Sequence, residues 1–138
     1  MPLNAKIVNG DHVSNTIILT AKNSNKKKIE KLKKRGVRIY ELPANKFRIG
    51  LKTAMHMLLK EEKIASVLVE GGSVIHGEFL KAGLADEALI FIAPKIIGDG
   101  ISSVTGKLTA KAKGAVKLAL ISTKSFESDT LIHARIIR

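Results

Sequence analysis

The sequence predicts an α/β fold, with a mixed, mainly parallel sheet flanked by helices and a C-terminal antiparallel hairpin. Three observations lead there. Between Thr16 and Ala82 the pattern alternates strand and helix three times, and repeated crossovers imply parallel strands. A short, largely β-branched apolar run, Val67-Leu68-Val69, stops at Glu70-Gly71-Gly72 and gives way to a helical pattern. Two long strand-like stretches near the end are separated only by Glu127-Ser128-Asp129, which is hairpin spacing.

The elements follow in order. Residues 3–13 mix apolar and polar positions around an Asn9-Gly10-Asp11 turn signal and read as an irregular lead-in. Thr16–Thr20 is a buried strand. Asn23-Ser24-Asn25 carries cap chemistry for a basic helix, Lys26–Arg35, with Ile29 and Leu32 as its narrow apolar stripe and Gly36 as its terminator. Val37–Leu42 alternates as a second strand until Pro43-Ala44-Asn45 breaks it. Residues 47–62 form the clearest helix, because Leu51, Ala54, Met55, Leu58 and Leu59 fall on one face; core packing also accounts for Met57. Ile64–Val69 is the third strand and Ser73–Ala82 the third helix. Glu87–Ala93 is a central strand stopped by Pro94, and 97–109 is a glycine-containing loop. Val116–Phe126 and Thr130–Ile137 make the hairpin.

A chain of 138 residues with 45% hydrophobic content is one domain, 1–138, with enough material for a core. No apolar run has the length of a membrane span, and no signal-peptide pattern opens the chain, so a cytoplasmic protein is expected. There is no cysteine and hence no disulfide or thiolate chemistry. His12, His56, His76 and His133 lack metal-ligand spacing, so no metal is expected. The formal net charge of +12 favours anionic partners: nucleic acid, or phosphorylated substrates and cofactors. Aromatic residues are only 4%, which disfavours a stacking platform for single strands.

The stretch with most chemical content is Glu70–Gly77. Gly71-Gly72 permits backbone conformations closed to other residues and close approach of a ligand. Ser73 is the candidate N-cap. A strand, a tight turn and a helix start would present free N–H groups and the positive end of a helix dipole to an anion. The plain alternative is a tight connection with no ligand. The dinucleotide fingerprint G-x-G-x-x-G is absent, because Gly77 falls at the wrong spacing. Glu70 adds weight to a site, since a carboxylate at the end of a buried strand needs solvent or a partner, and strand ends of open α/β sheets are where ligands bind.

Other features have bland readings. The Lys26–Arg35 cluster is a solvated helix face unless basic residues from elsewhere join it into a nucleic-acid footprint. His76 is either a half-buried packing residue or a phosphate contact. His56 and His133 are structural. Asp86-Glu87 is a loop-to-strand boundary, and Gly98-Asp99-Gly100 is a turn or a phosphate-binding loop.

Four ordered blocks carry a resemblance: Val69-Glu70-Gly71-Gly72, Gly77-Glu78-Phe79-Leu80, Leu84-Ala85-Asp86-Glu87 and Ile92-Ala93-Pro94-Lys95-Ile96-Ile97-Gly98. Together with Pro2–Val8 and Thr16–Ala21, they resemble the pyrimidine reductase family of riboflavin biosynthesis, which is similar in fold to dihydrofolate reductase. The resemblance implies an enzyme that uses NADPH to reduce the ribosyl group of a phosphoribosylamino-pyrimidine to ribityl. It implies that Glu70 contacts substrate and that Gly71, Gly72, Ser73, Val74, Ile75, His76 and Gly77 hold the cofactor. It implies a homodimer or higher oligomer. It also implies that this domain is N-terminally incomplete, lacking an upstream strand–helix–strand region with further cofactor and phosphate contacts.

Two other functions stay in view. A non-catalytic nucleotide-binding module, or half of a split enzyme, would keep the fold without turnover. A nucleic-acid binder would use the Lys26–Arg35 face, although nucleic acid is the less favoured partner.

Overall fold

The computed structural model describes residues 2–11, 13–45, 48–106, 108 and 114–137. The chain forms two compact units, Met1–Ala65 and Ser66–Arg138.

The first unit is built on a parallel pair, β1 (Ile17–Ala21) and β2 (Arg38–Leu42), joined by α1 (Lys26–Lys33). Asn25 starts α1: its side chain accepts the Lys28 N–H at 3.0 Å, satisfying one of the donors that a helix start leaves unpaired. Gly36, at φ +92°, turns the chain back into β2. Side chains alternate along the strands, so the pair has two apolar faces. Ile18 and Ile39 pack with α1's Leu32, with Val37 and with Val8 of the lead-in. Leu19 and Tyr40 pack on the other side with Leu42, Ala54 and Met57, the last two from α2 (Leu51–Glu62). Val8 is 0% exposed; burying such a side chain contributes about 1.5–3 kcal/mol.

Polar clasps close the unit's rim. Tyr40 donates its hydroxyl to Glu62 Oε1 at 2.6 Å, and Arg38 pairs with the same carboxylate. The bond to Glu62 raises the Tyr40 phenol above its ordinary range. Lys26 pairs with Glu41 and holds that carboxyl below the usual glutamate range. Arg35 reaches back to the lead-in, donating to the Leu3 carbonyl and to Asn9 Oδ1.

The second unit carries α3 (Ser73–Lys81) and a three-stranded antiparallel sheet. The first unit also holds a small antiparallel pair, β3 (Ala44–Asn45) and β4 (Arg48–Ile49), and the sheet of the second unit comprises β5 (Glu87–Ile92), β6 (Lys117–Phe126) and β7 (Asp129–Ile137). The strand order is β5-β7-β6. A bulge between Leu120 and Ser122 re-registers β6 on β7. The hairpin turns at Glu127, which takes φ +52°. Ala134, in the middle strand between Ala88 and Leu120, is 2% exposed.

The α/β fold class and the terminal hairpin are as the sequence predicts, with four differences in detail. Ile64–Val69 carries no ladder among the described residues, so the parallel pairing there is confined to β1 and β2. The Val67-Leu68-Val69 run is apolar enough for a buried strand, but without neighbouring strands Leu68 stays 69% exposed. The helix expected over 47–62 begins at Leu51, because Arg48–Ile49 pair with Ala44–Asn45 and Gly50 is the cap; Phe47 lies outside the described residues. On α2, Met57 is buried and Leu59 is exposed, which turns the packed face away from the Leu59 side. Finally, β5 is an edge strand and β7 the central one.

Candidate functional site

The turn before α3 is open. Gly71 sits at φ +130°, a conformation that only glycine takes without strain. Gly72 is the N-cap, with φ −77° and ψ 157°, and a Cβ there would have nothing within 4 Å. Ser73 is therefore the first helical residue and not the cap that the sequence suggests; Gly72 already holds the half-in position, and the Ser73 hydroxyl is engaged elsewhere. The Gly72 carbonyl accepts from Ile75 N–H at 3.0 Å and His76 N–H at 3.4 Å. The N–H groups of Ser73 and Val74 have no acceptor among the described residues. They project from the positive end of the α3 dipole, beside the exposed Glu70.

This geometry fits a cofactor phosphate. Space lies over Gly72, unpaired donors point from the helix start, and Gly71 holds the turn. Of the residues expected to form the site, Glu70, Gly71, Gly72, Ser73 and Val74 are contiguous at the opening. Ile75 is half-buried, its Cγ2 3.6 Å from where a Gly71 Cβ would lie.

His76 and Gly77 instead face a strap, Ser102–Gly106. His76 Nδ1–H donates to the Ser103 carbonyl at 2.9 Å. Thr105 N–H donates to the Ser73 carbonyl at 3.0 Å, and the Thr105 hydroxyl donates to Ser73 Oγ at 3.2 Å. Gly77 is buried against the strap: a Cβ there would lie 1.8 Å from the Thr105 carbonyl oxygen. Sequence reasoning missed Ser103 and Thr105, since nothing in their spacing ties them to α3. The available signal was Gly77 itself, a glycine inside a helix, which marks close backbone approach.

The remaining candidates have surroundings of their own. Glu87 accepts from His133 Nε2–H at 2.8 Å, a cross-strand bond on the sheet. This agrees with a structural His133. His56 is exposed on α2, Gly98-Asp99-Gly100 is an exposed bend, and His12 lies outside the described residues. In the first unit, a hollow of about 350 Å³ beside α1 is lined by Leu3, Asn25, Lys27, Lys28 and Lys31.

The fold is that of a dihydrofolate-reductase-like α/β protein. Across its full length the chain matches the RibD of Acinetobacter baumannii with a TM-score of 0.82 at 22% identity, covering 35% of that chain. The chain belongs to the RibD C-terminal domain family, the pyrimidine reductase family of riboflavin biosynthesis: the family model matches residues 1–132. The riboflavin biosynthesis protein RibD of Aquifex aeolicus is 40% identical over 102 residues, 74% of this chain and 26% of its own. That of Actinobacillus pleuropneumoniae is 30% identical over 138 residues, 99% of this chain and 36% of its own. The chain thus spans only a quarter to about a third of these relatives. No helix among the described residues is long and apolar enough to cross a membrane.

Proposed function

We propose that the chain is a single reductase-like domain that reduces the ribosyl group of a phosphoribosylamino-pyrimidine to ribityl, with NADPH as cofactor, in the cytoplasm. The observation that carries this reading is the open Gly71-Gly72 turn at the start of α3, in a chain of this family. The N–H groups of Ser73 and Val74 bind a cofactor phosphate, and the helix dipole adds to their pull. Glu70, exposed at the same opening, accepts hydrogen bonds from substrate hydroxyl or amino groups and so orients the sugar. Bound NADPH supplies the hydride for the ring-opened sugar carbon, a proton completing the reduction, and the protein's part is to orient and shield.

Self-association goes with this reading. Leu89, Phe91, Leu120 and Phe126 are 51%, 62%, 66% and 51% exposed on the second unit's sheet, and contiguous exposed apolar surface of this kind marks interaction sites.

Thermal shift and affinity measurements test the proposal together. NADPH at millimolar concentration is expected to raise the melting temperature. Gly72→Ala is expected to leave the melting temperature of the free protein unchanged, because its Cβ meets nothing, yet to weaken NADPH about tenfold or more by filling the approach to the turn. Glu70→Ala is expected to weaken substrate more than cofactor. No response of the wild-type protein to NADPH would overturn the reading.

A further inference from the structure

We propose that the strap Ser102–Gly106 is a fixed wall of the cofactor site, and that His76 is the positioning residue that latches it rather than a ligand of the phosphate. The proposal rests on the cofactor reading above and adds residues to it.

The strap touches one face of α3. Ser73, His76 and Gly77 stand three and four residues apart, which puts them on a single helix face. Each meets the strap differently. Ser73 offers its carbonyl to the Thr105 N–H and its hydroxyl oxygen to the Thr105 hydroxyl. His76 holds the Ser103 carbonyl; a carbonyl only accepts, so Nδ1 carries the hydrogen. Gly77 leaves the room that the Thr105 carbonyl occupies. The strap is braced internally as well, since the Ser102 hydroxyl donates to the Val104 carbonyl at 2.7 Å.

The hydroxyl pair gives the latch a consequence at the site. Ser73 Oγ accepts from Thr105, so its own hydrogen is directed elsewhere and has no acceptor among the described residues. Ser73 begins α3, immediately after the open Gly71-Gly72 turn. A docked strap therefore presents the Ser73 O–H as a further donor to an anion held by the Ser73 and Val74 amides. Because His76 commits Nδ1 to Ser103, its contribution to binding passes through the strap.

Isosteric replacement tests this. In His76→Asn the new side-chain amide nitrogen reproduces the position of Nδ1, whereas in His76→Gln it reproduces that of Nε2. Three readings are taken on the full chain: melting temperature, hydrogen exchange of the Thr105 amide without NADPH, and the NADPH dissociation constant. His76→Asn is expected to keep Thr105 protection and NADPH affinity near wild type. His76→Leu is expected to lose Thr105 protection and to bind NADPH roughly fivefold more weakly, the scale of one net hydrogen bond. Thr105→Val is expected to weaken NADPH about threefold while Thr105→Ser retains affinity.

If His76→Gln preserves affinity while His76→Asn loses it, Nε2 contacts the ligand directly and the latch is overturned. The latch is equally overturned if Thr105 protection survives in His76→Leu. Failure of the wild-type protein to bind NADPH sinks the cofactor reading instead, and leaves the exchange measurement to decide whether the strap is latched at all.

Discussion

The two units handle apolar surface in opposite ways. Among the described residues, all the buried apolar side chains except Phe79 and Ala134 lie in Met1–Ala65. All the large exposed ones except Ile7 and Leu59 lie in Ser66–Arg138. The first unit sandwiches a parallel strand pair between α1 with the lead-in on one face and α2 on the other, as parallel strands require. The second unit rests on its hydrogen-bonded antiparallel sheet, with β7 between β5 and β6, and leaves Leu68, Phe91 and Leu120 to water. A region that closes its own core has little left to offer a ligand. The second unit keeps apolar faces and unpaired helix N–H groups open, and the proposed cofactor, substrate and self-association all draw on that surface.

Substitution in the two regions sharpens or breaks that contrast. Leu32→Ala, in the closed core of the first unit, is expected to cost about 2–5 kcal/mol of stability in urea unfolding. Leu120→Ala, on the exposed sheet, is expected to stay within about 0.5 kcal/mol for the monomer. A cost at Leu120 that matches Leu32, and that grows with protein concentration, would mean that the sheet is covered in solution by another copy.

Gly77→Ala comes next in size. Its new Cβ would meet the Thr105 carbonyl carbon and oxygen, at 3.0 and 1.8 Å, so strap or helix must shift. The expected cost is roughly 1–3 kcal/mol, with loss of exchange protection at the Thr105 amide. A silent Gly77→Ala would mean that the strap does not press on α3 at Gly77.

The smallest effects are electrostatic and belong to the first unit. Lys26 depresses the Glu41 carboxyl, so this pair adds stability above the unfolded glutamate pKa and loses it as pH falls through the lower folded value. Tyr40 is shifted the other way by its bond to Glu62. Its contribution is complete below the unfolded tyrosine pKa of about 10 and fades as pH rises through the raised folded value. Both groups border solvent, so added salt should flatten the acid contribution. Lys26→Ala should remove the part of the acid slope due to Glu41, measured by urea midpoints across pH.

Much of this architecture can be read from the chain because it is local. The Asn25 cap, the Ile29 and Leu32 stripe, the Gly36 terminator and the hairpin at Glu127-Ser128 each depend on near neighbours. The turn Glu70–Ser73 is legible for the same reason: adjacent glycines before a helical pattern dictate an open backbone. What stays hidden is what distant segments decide. Val67-Leu68-Val69 has strand composition, yet a strand exists only where a neighbour supplies the ladder. Ser73 has cap chemistry, but Gly72 takes the cap and Thr105, far along the chain, engages the hydroxyl. His76 reads in the sequence as a phosphate contact or a packing residue, and its bond to Ser103, a segment far along the chain, has no signal in the sequence.

The most direct test of the central claim is hydrogen exchange of the whole chain with and without saturating NADPH, resolved to single amides. If the turn before α3 grips the cofactor phosphate, the Ser73 and Val74 amides, which have no acceptor among the described residues of the free protein, gain protection first and most. Protection centred instead on Lys27, Lys28 and Lys31, with Ser73 and Val74 exchanging as before, would contradict it.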